Sequence, residues 1–341
     1  MPRLGKHRRL IAAFAAIYVL WGSTYLAIAL GVQSIPPFLL MAARSVLAGI
    51  ILLGLSRSQG TPLPPARAWR HAALGGVLLF AGCHGALAYA ERYVPSGLAA
   101  IVLATIPFWM VLLQFLGPVG LRPRPASVAA LLPGFAGVAL ITWRGALSTG
   151  NSIDPLMIVI LLGSAFSWAL GSTISRRQTV PVSAICLSGM QLLCGGGLLL
   201  VISALAGEWS NFALEQISGL SLAGLVYLTL AGSVLGFTAY VWLLGVVDGP
   251  TVATNTFVNP VIAVVLGWSL NGEDLTPTIV AGMALVIGSV VALSRLSSSP
   301  LADKKSPRLV GPFRLRYRAR EFQSSPRSAG ATTAQPANVE P

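Results

Sequence analysis

Polar residues are sparse along most of this chain, and they fall between long apolar runs. Such runs occupy residues 10–31, 35–55, 72–90, 96–116 and 126–143. A polar break around Ser148 to Pro155 follows, and then five more runs, at 156–175, 183–206, 219–244, 251–270 and 277–294. Each approaches the roughly 20 residues a helix needs to cross a hydrocarbon core about 30 Å thick. The pattern predicts an all-α membrane protein with ten transmembrane helices. The N-terminus, Met1 to Arg9 followed by an apolar run from Leu10, has the outline of a signal peptide. Its apolar stretch continues to Leu30, too long for a signal core, so it reads as an uncleaved first helix. Residues 296–341 are rich in Ser, Pro, Arg and Ala and lack apolar periodicity, which predicts a disordered tail. Its basic cluster, Arg314, Arg316, Arg318 and Arg320, suits contact with anionic lipid headgroups, although a solvated, topology-setting tail is the simpler reading.

Composition strengthens this picture. Of 341 residues 55% are hydrophobic and only 10% charged, against about 25% charged in soluble domains. The net charge of +13 invites a nucleic-acid partner, but the basic residues sit between and after the apolar runs, so none is expected. Placement of charge instead sets orientation, because cytoplasmic loops accumulate Lys and Arg. With the N-terminus in the cytoplasm, twenty of the 23 Lys and Arg lie on that side, and only Arg92 and Arg144 lie outside. The remaining one, Arg44, lies within a span. A miscount of one helix would invert this bias downstream, so both termini are expected in the cytoplasm. Cys83, Cys186 and Cys194 lie in apolar runs without metal-ligand spacing and read as small buried hydrophobes. No metal or cofactor is expected.

The two halves share landmarks. Leu20-Trp21-Gly22-Ser23-Thr24 corresponds to Ala169-Leu170-Gly171-Ser172-Thr173, Pro107 to Pro260, and Gly137 to Gly288. The three offsets are nearly constant, which indicates duplication. Five spans per half is an odd number, so the second half must enter the membrane from the opposite side. That is the inverted-repeat plan of many secondary transporters, whose sites lie between the halves near the midplane. Pro107 and Pro260 are the paired candidates for helix interruption, each removing one intrahelical hydrogen bond.

Several motifs carry a family likeness: Tyr18-Val19-Leu20-Trp21-Gly22-Ser23-Thr24-Tyr25, Pro36-Pro37-Phe38-Leu39, Ala43-Arg44, and Ala90-Glu91-Arg92-Tyr93-Val94-Pro95-Ser96-Gly97-Leu98-Ala99-Ala100 running on to Ala104-Thr105-Ile106-Pro107. With these the chain resembles the EamA family of the drug/metabolite transporter superfamily, in its YedA-like branch, over about residues 10–295. The resemblance implies two inverted EamA-type repeats of five helices, here 10–143 and 156–295, and export of small metabolites, amino acids or drugs. Family members often carry Gly-Glu after both the fourth and ninth spans. Gly272-Glu273 matches the second, whereas Gly117-Pro118 stands in the first position.

Few residues inside the spans can do chemistry. Arg44 is the only charged residue well inside one, and a bare guanidinium there must face a partner or a cavity. His84 and Glu91, seven residues apart, share one face of the third span. Arg44, His84 and Glu91 are therefore expected to line an outward-facing polar path, with protons as a candidate coupling ion; hydrogen-bonded packing is the competing reading. Asn255 and Asn259, beside Thr254 and Thr256, suit a polar solute or interhelical bonds equally well. Trp21, Tyr25 and Trp109 are further cavity candidates, although aromatic residues in membrane helices mostly pack. No catalytic residues are expected: there is no HExxH, no carboxylate pair within the spans and no ATP-binding GxxxxGK[ST]. A secondary transporter working by alternating access in a bacterial inner membrane is the favoured function, with small solutes and membrane lipids as partners. A membrane receptor or scaffold is the alternative.

Overall fold

A computed structural model of the chain describes residues 2–62, 64–116, 125–147, 154–176, 182–210, 212–247, 252 and 255–297. These residues form ten helical rods: α1 (2–31), α2 (Pro37–Ser58), α3 (Ala66–Ala90), α4 (96–116), α5 (Pro125–Leu147), α6 (Pro155–Arg176), α7 (Ala184–Leu205), α8 (219–246), α9 (Asn255–Asn271) and α10 (Pro277–Ser297). Seven carry an apolar stretch of at least 18 described residues, and α9 and α10 hold shorter ones, Val258–Asn271 and Pro277–Ser289. No strand occurs among the described residues. The tail expected over 296–341 lies outside the described residues beyond Ser297.

Local sequence explains where the rods start and stop. Five begin on proline, at Pro2, Pro37, Pro125, Pro155 and Pro277, where a missing amide costs nothing. Ser183 and Ser218 cap α7 and α8 by accepting from the amides of Cys186 and Ser221. Gly60 and Gly207, both at positive φ, terminate the equivalent rods α2 and α7. Outward-facing Ile50, Leu74, Leu132, Val159, Leu205 and Leu235 are exposed, as a lipid-facing surface requires.

Packing establishes the inverted relation of the halves. α2 packs on α7, its counterpart, with Ser45 against Gly196 and Leu53 against Gly189, so the two run antiparallel. α5 and α10 do the same: Gly137 lies against Gly282 and Leu285, while the Ser289 hydroxyl donates to the Ala130 carbonyl. Two further pairings are preserved when each rod is exchanged for its counterpart: α3 packs on α6 as α8 does on α1, and α4 on α6 as α9 on α1. Gly76 and Gly195 let α3 and α7 meet backbone to backbone, since a Cβ on either would collide with a carbonyl of the other rod.

A second symmetry concerns helix winding. α3 widens into a π-helix at Val77–Gly85 and α8 at Leu228–Phe237, equivalent places in the two halves. Such segments leave carbonyls without their usual intrahelical donors, and side chains of the crossing rod reach them. From α6, the Ser167 and Ser164 hydroxyls donate to the Leu78 and Cys83 carbonyls at 2.8 and 3.0 Å. From α1, the Trp21 indole donates to the Gly232 carbonyl at 3.0 Å. A further π segment, Ala16–Leu20, lies in α1.

Candidate functional site: a cavity between the repeats

The widened segment of α3 and the regular turns of α8 that follow its own widened segment face a central cavity, together with α1, α2, α4, α6 and α9. It holds about 1040 Å³ of space, its mouth included. Arg44 from α2 lines it and is 2% exposed. Its Nε donates to Ser233 Oγ at 2.8 Å, and Nη1 reaches Met41 Sδ at 3.6 Å. No carboxylate pairs with it among the described residues. A guanidinium has five N–H donors, so these two contacts leave most of its capacity to be met from the cavity.

Aromatic side chains form one wall. Trp168 lies edge-on to Trp21 at 5.5 Å between ring centroids, and Tyr240 lies 4.9 Å from Trp21 and 5.7 Å from Trp168. His84 sits between the Phe80 and Trp168 rings, 5.3 Å from each, and its Nδ1 is buried without a hydrogen-bond partner. Another part of the lining is polar. Asn255, Thr256 and Asn259 of α9 form it, and with its amide nitrogen turned inward Asn259 donates to the Asn255 and Tyr18 carbonyls. Thr24 and Thr173, counterparts in the two Gly-Ser-Thr motifs, also line the cavity, their hydroxyls turned back to the Trp21 and Ala169 carbonyls.

Of the residues expected to form a pathway, six line this cavity: Arg44, His84, Trp21, Tyr25, Asn255 and Asn259. Glu91 does not. It follows the last turn of α3 and lines a separate, open pocket with Ser96, Arg92, Asn271 and Glu273. There it is 6% exposed and neither oxygen has a hydrogen-bond partner. Burial, and then the neighbouring Glu273 carboxylate, push the Glu91 carboxyl well above the usual carboxylate range. Trp109 also lies outside the cavity lining; its ring meets Phe166 edge-on at 5.4 Å in the interface of α4 and α6. The helix break expected at Pro107 falls just before it, where α4 turns at Ala104–Thr105 and restarts at Ile106. Pro260 lies within a continuous helix and lines the cavity instead of interrupting its rod.

The end of the bundle near Glu91 is held together across the repeats. Glu208, between α7 and α8, accepts from the Phe38 and Leu39 amides at 3.1 and 2.8 Å and so caps α2. Glu273, between α9 and α10, accepts from the Ser96 amide at 3.0 Å, its hydroxyl at 2.5 Å and the Gly97 amide at 3.0 Å, capping α4. Both are charge-assisted bonds to a helix N-terminus, where a carboxylate also meets the positive end of the dipole. The Ser218 amide donates to Ser34 Oγ at 3.0 Å beside them. Glu273 thus holds repeat to repeat, a use the isolated Gly-Glu motif did not reveal.

Inverted five-helix halves, kinked and widened rods, and a buried charge in the cavity between them define a membrane-carrier architecture. A model of the EamA-like transporter family matches residues 9–143 and again 155–295, and the chain belongs to this family of membrane transporters. It is 37% identical over 286 residues to the uncharacterized inner membrane transporter YedA of Escherichia coli (strain K12), covering 84% of this chain and 90% of that one. It is 26% identical over 304 residues to the uncharacterized transporter YvbV of Bacillus subtilis (strain 168), covering 89% and 96%. Protein PecM of Dickeya dadantii (strain 3937) is 25% identical over 293 residues, covering 84% and 93%. A protein of known crystal structure, 23% identical, superposes with a TM-score of 0.60 over 86% of this chain and 99% of that one, a likeness of fold alone.

Proposed function

We propose that the chain is a secondary exporter of small solutes that works by alternating access in a bacterial inner membrane. The observation that carries this reading is the buried, carboxylate-free Arg44 in a cavity built from equivalent rods of two inverted repeats. Two packings of equivalent elements, exchanged by the symmetry, give such a protein its two states. The cavity lining runs to Thr173, Leu244 and Val252 at the end that the Lys and Arg bias assigns to the cytoplasm, and to Ile28, Leu87 and Ala100 toward the other end. The Glu208 and Glu273 caps draw the other end shut. This arrangement is a loading state for export, with both termini cytoplasmic and the two repeats, 10–143 and 156–295, as its moving halves. The name of the inner membrane relative supports the location.

In this reading Trp21, Tyr25, Asn255 and Asn259 contact cargo, and Trp109 supports the α4–α6 contact. Pro107 sets the bend of α4, and Pro260 shapes the cavity wall. Protons are the proposed coupling ion, with Glu91 as the exchangeable site near the closed end and His84 as a second group along α3. The test loads the purified chain in liposomes, in turn, with a labelled amino acid, a labelled carboxylic acid and a labelled quaternary-ammonium drug. Protein-dependent release of at least one is expected. Release unaffected by a pH gradient in both Glu91→Gln and His84→Ala, as in the unmodified chain, would remove the proton from the scheme. Binding without release of any solute would favour a receptor.

A further inference from the structure

Among the described residues that line the cavity Arg44 alone is Lys, Arg, Asp or Glu, so this lining is monocationic. A guanidinium is planar and presents paired N–H groups that match the two oxygens of a carboxylate. Its Nε is already committed to Ser233, which fixes the plane of the fork within the bundle. Trp21, Trp168 and Tyr240 line the same cavity, in ring-to-ring contact with one another. Rings so arranged accept a flat apolar body by stacked or edge-on contact, at centroid separations of about 4.5–7 Å. A cationic cargo would find no carboxylate among the lining residues. A doubly charged phosphate ester would leave one charge uncompensated in a low-dielectric interior.

On these grounds we propose that the cavity binds a monoanionic carboxylate with a flat apolar body, its carboxylate on Arg44 and its ring against the tryptophan–tyrosine wall. The proposal rests on the reading of this cavity as the cargo site. It adds the charge and shape of the cargo.

The test compares ligands before it compares variants, so its first readout needs no substitution at all. Calorimetric titration of the purified full chain uses 3-phenylpropanoate, its neutral isostere 3-phenylpropanamide, and propanoate, which lacks the ring. The phenyl acid is expected to bind at least tenfold tighter than either of the other two. Equal binding of acid and amide overturns the carboxylate assignment, and equal binding of propanoate overturns the flat apolar body. Arg44→Gln should bring the acid down to the level of the amide, erasing the tenfold preference; Arg44→Lys should retain part of it. Loss of the amide's binding as well would place Arg44 in the packing and count against the proposal. Selective binding without release from liposomes would leave the ligand class standing and remove the transporter reading instead.

Discussion

At the scale of single residues, the buried charges set the chemistry. The Glu91 carboxyl, raised by burial and then by Glu273, holds its proton in the folded chain to higher pH than in the unfolded one. Its contribution to stability is therefore complete below the ordinary carboxylate value of about 4.3, and is lost as pH rises toward the raised value. Glu91→Gln cannot ionise, so it should flatten the fall in thermal stability of the detergent-solubilised protein across that window; an unchanged slope would mean that Glu91 titrates normally. Arg44 depends on Ser233 for the acceptor of its Nε. Ser233→Ala should weaken solute affinity several-fold at nearly unchanged expression, and unaltered affinity would show that the fork needs no such anchor. Arg44 and His84 were legible in the sequence because a cation or an imidazole within an apolar run is costly and rare. Trp168 and Tyr240 were not, because aromatic residues are common in membrane helices and only packing distinguishes a cavity wall from a lipid-facing ring. A trace of the signal was present: both repeats place a tryptophan shortly before Gly-Ser-Thr, at Trp21 and Trp168.

At the scale of elements, the ten rods follow from run length and charge parity, since ordinary helices satisfy their own backbone in lipid. Departures from regular winding did not show in that pattern. The π segments Val77–Gly85 and Leu228–Phe237 are as apolar as their flanks, and they depend on donors from another rod, Ser167 and Trp21. Ser167→Ala should cost about 1 kcal/mol through the lost hydrogen bond to the Leu78 carbonyl. The glycine contact of α3 with α7 is more sensitive. Gly76→Ala forces a methyl group into the Gln191 backbone and should cost about 1–3 kcal/mol, read as a lowered midpoint of thermal unfolding in detergent. A midpoint within error of the unmodified chain would mean that the rods separate freely there. Proline illustrates the limit of reading elements from sequence. Pro107 and Pro260 occupy equivalent positions, yet the break in α4 falls at Ala104–Thr105 while α9 runs through Pro260. The Asn259 amide helps to satisfy carbonyls near Pro260, a side-chain contact that no spacing rule foretells.

At the scale of the whole molecule, the inverted halves place one buried cation, two glutamate caps and an equivalent pair of widened helices together. The repeat brings equivalent rods to the cavity, and in the proposed reading the caps hold one end of it closed. The caps differ in origin from the scaffold: Glu208 and Glu273 both come from the second repeat and hold helix starts of the first. This asymmetry is what a gate needs, because it can be released without unfolding either half. The most direct measurement locks that gate. Ser34→Cys with Ser218→Cys, in a background lacking Cys83, Cys186 and Cys194, replaces the hydrogen-bonded pair at the closed end with an oxidisable one. Solute release from liposomes should stop on oxidation and return on reduction, because cargo can no longer leave through that end. Undiminished release from the fully cross-linked protein would contradict transport by alternating access between the repeats.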